Sequence, residues 1–519
     1  MSTRFKSNHS IEWGGIIVLK LSFDLFTGKS HCICHGLLPQ LAGRNAKVLV
    51  LCNSNVAVDA LMLKCTDIES LSGQILRCGF KQNVSDKVIS MGLYAEGDVT
   101  AQTDNYGQRA GSNSNTLDED VQQQIRASRI VFTTIHFASK SKEKSENNSS
   151  YWNFDVLVLD ECAQIEDSRI LIVLARCTSL KKMVLVGDPK QLQPYVPNSL
   201  RQQGYGKSTM ERLMDKADLE ISKEATTRNG VTPYIMLEEQ FRMAPPLRQI
   251  VSKLYYGNRL QDASEVLGRG PLARIKLRSL LVLNLTGSPK RFSPLHQSYE
   301  NEGEAMIVKL VYEFLLSSEF DGALPKNAGK VEEKDICILT PYNRHKDRLR
   351  MLVCDIDEEQ LDGYSGQTFS RVLSSPSKAQ VLYGTQDEVG GEFAAMVENI
   401  DTVDKFQGSE RKVVIISTCV DMKPLRAADP HFINVACSRA QHLLVVVGNF
   451  SHGLMASDDW RFVQSQAKTN GSYIEHAVKY TPPAPGADED EENILEVYEA
   501  DLKAKLQELL EPPSKKVKE

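Results

Sequence analysis

Val156-Leu-Val-Leu159-Asp160-Glu161-Cys162-Ala163-Gln164 places two adjacent carboxylates directly behind a run of aliphatic residues. An aliphatic run without alternation suits a strand covered on both faces, the situation in parallel sheets. At the end of such a strand the first carboxylate can hold Mg2+ and the second can polarise a water, as phosphoryl hydrolysis requires. Alone, Asp-Glu after a strand is usually a solvated turn. Val184-Leu-Val-Gly187-Asp188-Pro189-Lys190-Gln191-Leu192-Gln193-Pro194 supplies the second piece: another strand, closed by a polar turn. Ligands bind at that carboxyl edge of a parallel sheet, and the Gln191 amide suits a phosphate sensor there. Upstream, Thr27-Gly28-Lys29-Ser30 resembles the end of a phosphate-cradling loop. In such a loop Gly28 admits the backbone, Lys29 reaches phosphate oxygens and Ser30 ligates Mg2+.

Further strand candidates extend outward from this centre. They are Lys47–Leu51, Arg129–Phe132, Met183–Val186, Ile336–Leu339, Val413–Ile416 and Leu443–Val447. Strands alternating with longer helical stretches recur in two blocks, before and after about residue 232. The expected class is α/β, with parallel sheets flanked by helices. The divisions read are an atypical segment 1–26, a first domain 27–231, a second domain 232–455 and an extension 456–519. Polar insertions are placed at about 80–125 and 355–397, and Ser139 to Ser150 reads as a low-complexity loop. The extension holds a proline-rich linker, an acidic run and an amphipathic helix over 494–510. Leu495, Tyr498, Leu502, Leu506 and Leu509 form one stripe of that helix, which suits either a protein partner or packing on its own domain.

Composition bounds the function. The 519 residues suggest three or four units at about 150 residues each. Hydrophobic residues at 41% and charged residues at 25% exclude wholesale disorder. A net charge of −6 argues against a surface coated with positive charge for DNA, though not against a local groove. No apolar run approaches the roughly 18 residues of a membrane span, and no signal peptide is read. Eleven scattered cysteines fit a reducing compartment, cytoplasmic or nuclear rather than secreted. His31-Cys32-Ile33-Cys34-His35 is read as packing, because a helix scatters these side chains around its axis. The basic tail Lys515-Lys516-Val-Lys518 reads as a solvated end.

Seven segments then stand in a familiar order: Asn53-Ser-Asn-Val-Ala-Val-Asp59, Asp160-Glu161, Gly187-Asp-Pro-Lys-Gln191, Leu237-Glu-Glu-Gln-Phe-Arg-Met243, Thr340-Pro-Tyr-Asn343, Val403-Asp-Lys-Phe-Gln-Gly-Ser-Glu410 and Asn434-Val-Ala-Cys-Ser-Arg-Ala440. Over about residues 27–450 the chain resembles superfamily 1 helicases of the branch typified by the nonsense-mediated-decay RNA helicase. The resemblance implies two tandem RecA-like domains, ATP and Mg2+ in the cleft between them, and single-stranded RNA or DNA as partner. It implies movement from 5′ to 3′. Lys29 and Ser30 then bind phosphate and Mg2+, Asp160 holds Mg2+, Glu161 activates water and Gln191 links the γ-phosphate to strand movement. Phe241 stacks on adenine, Arg242 and Arg439 reach the γ-phosphate, Glu410 contacts ribose, and Gly408 lies beside the phosphates. Ser54, Asn55, Thr134, Thr340 and Thr402 match positions lining the nucleic-acid strand.

The pattern breaks before Thr27. Phe23 and Phe26 stand where the family's loop has glycine, and Asp24 adds negative charge. Bulky residues resist the positive φ and close phosphate approach of that backbone. Neither the upstream adenine-reading glutamine segment nor the N-terminal accessory β-barrel is found. Two accounts fit: a replaced or truncated N-terminus, or a variant with impaired ATP binding that serves as a non-hydrolysing nucleic-acid-binding scaffold. Phe23→Gly combined with Phe26→Gly is expected to tighten ATP binding. Equal nucleotide affinities in a fluorescent-analogue titration of the two forms refute this.

Overall fold

In the computed structural model the aliphatic runs bounded by polar turns become the strands of two sheets. The structure describes residues 11–13, 16–23, 28–96, 119–140, 152–223, 234–355, 397, 399–406, 408–421, 425–481 and 494–513. It divides into two units, Met1–Glu238 and Glu239–Glu519.

The first unit's strands are β1 (Ile11–Trp13), β2 (Ile16–Phe23), β3 (Val48–Cys52), β4 (Ile75–Gly79), β5 (Tyr94–Glu96), β6 (Ile130–Thr134), β7 (Val156–Leu159), β8 (Lys182–Gly187) and β9 (Tyr234–Leu237). They pair in the order β1-β2-β8-β7-β3-β6-β4-β5, with β9 also on β2. Every pairing is parallel except β1 with β2. Alternate residues of the central strands enter two different cores. Leu49, Leu51, Leu157, Leu159 and Leu185 face one side, and Val48, Val50, Val156, Val158, Val184 and Val186 the other. The continuous burial of β3, β6 and β7 is the reason their sequences show no polar alternation.

Several boundaries differ from the sequence reading. The segment set apart as 1–26 supplies β2, a strand paired on both sides, with Leu21 opposite Val186 of β8 and Ile235 of β9. Lys20 interrupts its apolar run and concealed it. The supposed insertion 80–125 contributes β5 and the helix Glu119–Ala127, whose Val121 and Ile125 are buried; residues 97–118 of it lie outside the described residues. The loop 141–150 and nearly all of the insertion 355–397 lie outside them as well. The first sheet continues past 231 because β9 completes it.

The second unit contains β10 (Glu239–Gln240), β11 (Gln261–Asp262), β12 (Leu280–Thr286), β13 (Arg291–Ser293), β14 (Ser298–Glu300), β15 (Ile336–Thr340), β16 (Ile400–Thr402), β17 (Arg411–Ser417), β18 (Ala440–Gly448), β19 (Tyr473–Thr481) and β20 (Ile494–Val497). Its main sheet runs β16-β15-β17-β18-β12-β19-β20, and only β19–β20 is antiparallel. The extension 456–519 is thus part of this unit. The expected helix over 494–510 is a strand, β20, followed by a shorter helix, Glu499–Glu508. Leu502, Leu506 and Leu509 of the stripe join the second unit's own core. Leu277 N donates to Leu509 O at 2.8 Å. Packing on its own domain therefore uses the stripe proposed for a protein partner, leaving Tyr498 exposed. Among the described residues no helix is long and apolar enough to cross a membrane.

One buried charge in the first unit went unread. Arg77, in the middle of β4, is fully buried and donates through Nε to Asp59 Oδ1 at 2.7 Å. Asp59 Oδ2 also accepts from Ser85 N at 2.8 Å. Removing one partner of a buried pair leaves an uncompensated charge. Asp59→Ala is expected to cost about 3–5 kcal/mol in urea denaturation. Adding Arg77→Met should recover most of that loss, whereas an additive double variant contradicts this account.

Candidate functional site

The first sheet's carboxyl edge gathers the acidic and phosphate-loop residues. Gly28 has φ +76° and begins the helical turn that carries Lys29, a conformation glycine adopts at no steric cost. Lys29 is buried, and its Nζ donates to Glu161 Oε1 at 2.8 Å. Glu161 itself sits at φ +51°, ψ +35°, a left-handed conformation costly for a residue with a side chain and frequent at functional sites. Asp160 closes β7, is buried, and accepts from Glu161 N at 3.0 Å. Gln164 Nε2 reaches Glu161 Oε2 at 3.4 Å.

Opposing fields act inside this cluster. Burial pushes the Asp160 carboxyl up to about 6; Lys29 opposes the rise and Glu161 adds to it. Burial also works against the Lys29 charge, but Glu161, Asp160 and Asp188 outweigh it and hold the ammonium above its ordinary range. At the end of β8, Gly187 leaves little room for a side chain: a Cβ there would lie 3.0 Å from Ala163 N and 3.1 Å from Cys162 N. Asp188 follows, buried, and accepts from Lys190 N at 2.9 Å. Gln191 is buried in the same turn. Ser30, half-buried, lies one residue beyond Lys29.

The same edge continues across β3 and β6. Ser54 caps the helix Asn55–Thr66, its hydroxyl accepting from Ala57 N at 3.2 Å. Asn55 Oδ1 accepts from Arg77 Nη2 at 2.9 Å, so the buried arginine orients this loop. Thr134, at the end of β6, accepts from Phe137 N at 3.1 Å. These three residues thus have structural bonds of their own. Sequence reasoning missed Arg77, although a lone arginine inside Ile75-Leu-Arg-Cys-Gly79 was a visible signal.

In the second unit the predicted residues fall on two edges. Thr340 and Thr402 end β15 and β16 and lie opposite each other in register; both are buried. Arg242, Glu410 and Arg439 lie toward the amino ends of β17 and β18. The Arg242 guanidinium is buried, pairs through Nε with Glu410 Oε2, and donates through Nη1 to Ser438 O at 3.2 Å. Gln441 Nε2 donates to Glu410 Oε1 at 2.8 Å. Burial opposes the Glu410 charge, yet Arg242 and these hydrogen bonds hold its carboxyl below the ordinary range. Arg439 is fully buried and donates through Nε to Val435 O at 2.8 Å. Phe241 remains 43% exposed, and Arg269 Nη1 donates to its carbonyl at 3.0 Å. Gly408 has φ +89°. Arg269 and Gln441 were not singled out in the sequence; nothing in their spacing marks them.

The His31–His35 stretch is helical. The two rings stack at 4.3 Å, whereas Cys34 turns inward to donate to Leu61 O at 3.4 Å.

Two AAA domain family models match the chain, one over residues 94–199 and one over 205–451. Among curated proteins, probable helicase MAGATAMA 3 of Arabidopsis thaliana is 27% identical over 430 residues, covering 78% of this chain and 43% of its own length. Putative helicase mov-10-B.1 of Danio rerio is 25% identical over 57% of this chain and 27% of its own. DNA polymerase alpha-associated DNA helicase A of Schizosaccharomyces pombe is 24% identical over 83% and 61% respectively. The chain belongs to the superfamily 1 helicases. Its branch is the one typified by the nonsense-mediated-decay RNA helicase, and its two parallel sheets flanked by helices fit tandem RecA-like domains. The chain spans less than two thirds of the length of each of these three relatives. A solved structure of PRRSV helicase aligns over 85% of this chain and 54% of its own at 12% identity, with a TM-score of 0.35.

Lys29 is the counter-charge that opposes the rise of the Asp160 carboxyl. In Lys29→Met, raising the pH creates the Asp160 carboxylate in the folded state without that partner. The folded form then binds more protons than the unfolded one, so stability falls as pH rises. The thermal midpoint of this variant is expected to drop more steeply than the parent's between about pH 5 and 8. Parallel pH profiles contradict the pairing.

Proposed function

We propose that the chain is an ATP-driven motor on single-stranded RNA or DNA. The observation that carries this reading is the buried Lys29 ammonium among Glu161, Asp160 and Asp188 at the carboxyl edge of a parallel sheet. The hydroxyl and carboxylate oxygens of Ser30, Asp160 and Asp188 are the hard donors Mg2+ prefers. Mg2+ held there by Ser30 and Asp160 would neutralise charge on the phosphate oxygens.

Each residue then has a task. Lys29 exchanges Glu161 for the β- and γ-phosphate oxygens, with Gly28 and Gly408 beside them. The released Glu161 carboxylate orients and deprotonates the attacking water. Gln191 senses the γ-phosphate through its amide. Phe241 offers an exposed ring to adenine, and Glu410 a carboxylate to ribose. Arg242 and Arg439 bring guanidinium charge to the γ-phosphate, for which Arg242 must part from Glu410. Hydrolysis removes the γ-phosphate that these arginines would contact, and the resulting change becomes a step along the strand. Ser54, Asn55, Thr134, Thr340 and Thr402 lie on carboxyl edges, where hydroxyls and amides can hold a sugar–phosphate backbone without net positive charge. One relative, from Mus musculus, is named a 5'-3' DNA helicase, in keeping with 5′ to 3′ movement. The free cysteines fit a reducing compartment, cytoplasm or nucleus, for such a motor.

A second reading has a specific basis. Phe23 and Phe26 replace loop glycines, which favours a strand-binding scaffold that does not hydrolyse ATP. Phosphate release by the full chain, with and without oligouridylate or oligothymidylate, separates the two. The motor reading expects strand stimulation, and a loss of about 100-fold or more in kcat for Glu161→Gln with ATP binding retained. A folded parent that binds strand without hydrolysing ATP supports the scaffold instead.

A further inference from the structure

The ribbon β13–β14 lies outside the seven helicase segments, yet it carries an organised aromatic surface. Phe292 and Tyr299 pair across the ribbon, with ring centroids 5.0 Å apart. Tyr342, from the turn after β15, meets Tyr299 edge-on at 5.2 Å. The Lys290 ammonium lies 4.4 Å from the Tyr299 centroid and 5.8 Å from that of Tyr342, within cation–π range. Phe292 is 47% exposed, so this is not a closed core. Arg291 and Arg344 lie in the same ribbon and turn, and Arg344 Nε pairs with Glu300 Oε2 at 3.0 Å.

The base of the ribbon is held by a buried polar chain. Asn301 N donates to His345 Nδ1 at 3.3 Å, and His345 Nε2 lies 2.7 Å from Ser417 Oγ. Ser417 Oγ and Cys419 N donate to Glu304 Oε1 at 2.8 and 2.7 Å. Asn301, His345, Ser417 and Glu304 are all buried. Burial drives His345 down to about 3, so its ring stays neutral and Nδ1 can accept. Lys290 N donates to Asp421 Oδ2 at 3.1 Å. The ribbon is therefore fastened to the segments that follow β15 and β17. These buried hydrogen bonds tie the base of the ribbon to those segments.

We propose that the Phe292–Tyr299 ribbon is a base-stacking platform for an unpaired nucleobase of the strand crossing the carboxyl edge of the second sheet. The proposal rests on the strand-binding part of the function above and deepens it. Tyr342 stands two residues beyond Thr340, so the platform continues the backbone-holding edge. The exposed Phe292 ring, tilted 59° from Tyr299 and accompanied by Lys290, Arg291 and Arg344, offers a face to a base attached to a phosphodiester. Stacking of this kind tolerates any sequence, because every base has a π-face.

Fluorescence anisotropy of the full chain with fluorescein-labelled oligothymidylate, and with an abasic strand of the same length, tests this. Phe292→Ala should weaken oligothymidylate binding about tenfold and leave the abasic strand unaffected. Phe292→Trp should bind oligothymidylate at least as tightly as the parent. An unchanged thermal midpoint establishes that the alanine variant is folded. Equal oligothymidylate affinity in Phe292→Ala and the parent overturns the platform and leaves the ribbon as a protein-contact surface. Equal loss for both strands also overturns it, since the contact would then be to backbone. If the parent binds neither strand, the strand-binding reading itself fails; if it binds both and Phe292→Ala changes nothing, only the platform fails.

Discussion

A buried ammonium must be matched by negative charge, and that constraint organises the first unit. Lys29 lies inside the protein with Glu161 in direct contact and Asp160 and Asp188 nearby. Three segments far apart in sequence must converge to satisfy it: the helical turn that begins at Gly28 and the ends of β7 and β8. A parallel sheet achieves this without special loops, because all three strands end on the same edge. The left-handed backbone of Glu161 and the absence of a side chain at Gly187 are local consequences of that convergence. The cluster is self-neutralising, and exchanging Glu161 for a phosphate anion would keep the ammonium matched while freeing the carboxylate.

The second unit applies the same principle to arginine. Arg242 is buried against Glu410, and Gln441 fixes the other carboxylate oxygen. Both ion pairs thus hold a residue proposed to act on phosphate beside a carboxylate that ligand binding would displace. The carboxyl edge of this unit is built differently. Neutral hydroxyls at Thr340 and Thr402 stand near an aromatic ribbon held by Asn301, His345, Ser417 and Glu304. Phosphate chemistry and strand contact would accordingly use opposite edges of one sheet. Arg77 has a comparable supporting role in the first unit, holding Asn55 through its side chain and Asp59 through a buried pair.

Much of this was legible in the chain. The central strands announced themselves as aliphatic runs, since burial on both faces removes polar alternation. The residues around Asp160, Asp188 and Lys29 were legible only in combination, because charge after a single strand is ordinarily a solvated turn whereas three such segments in order are not. Strands carrying a charge or polar alternation were harder to read. Lys20 concealed β2, Arg77 concealed β4, and Glu475, His476 and Lys479 concealed β19. The terminal stripe misled because Leu495 and Leu502 fit one helical face although they belong to a strand and a helix.

By itself, the amino-acid sequence determined the class of each unit, the order of the chemical segments and the family to which they belong. These depend on residue type and spacing, which folding does not alter. Only the tertiary structure decided which groups are paired: Lys29 with Glu161, Arg242 with Glu410, Arg77 with Asp59 and Asn55, and Lys290 with the rings of Tyr299 and Tyr342. Such pairings join residues separated by up to 168 positions, and they follow from strand order and register rather than from any local pattern. The helix after β20 became part of the core for the same reason: an apolar stripe specifies burial, but the surface that buries it is set by the sheet beneath.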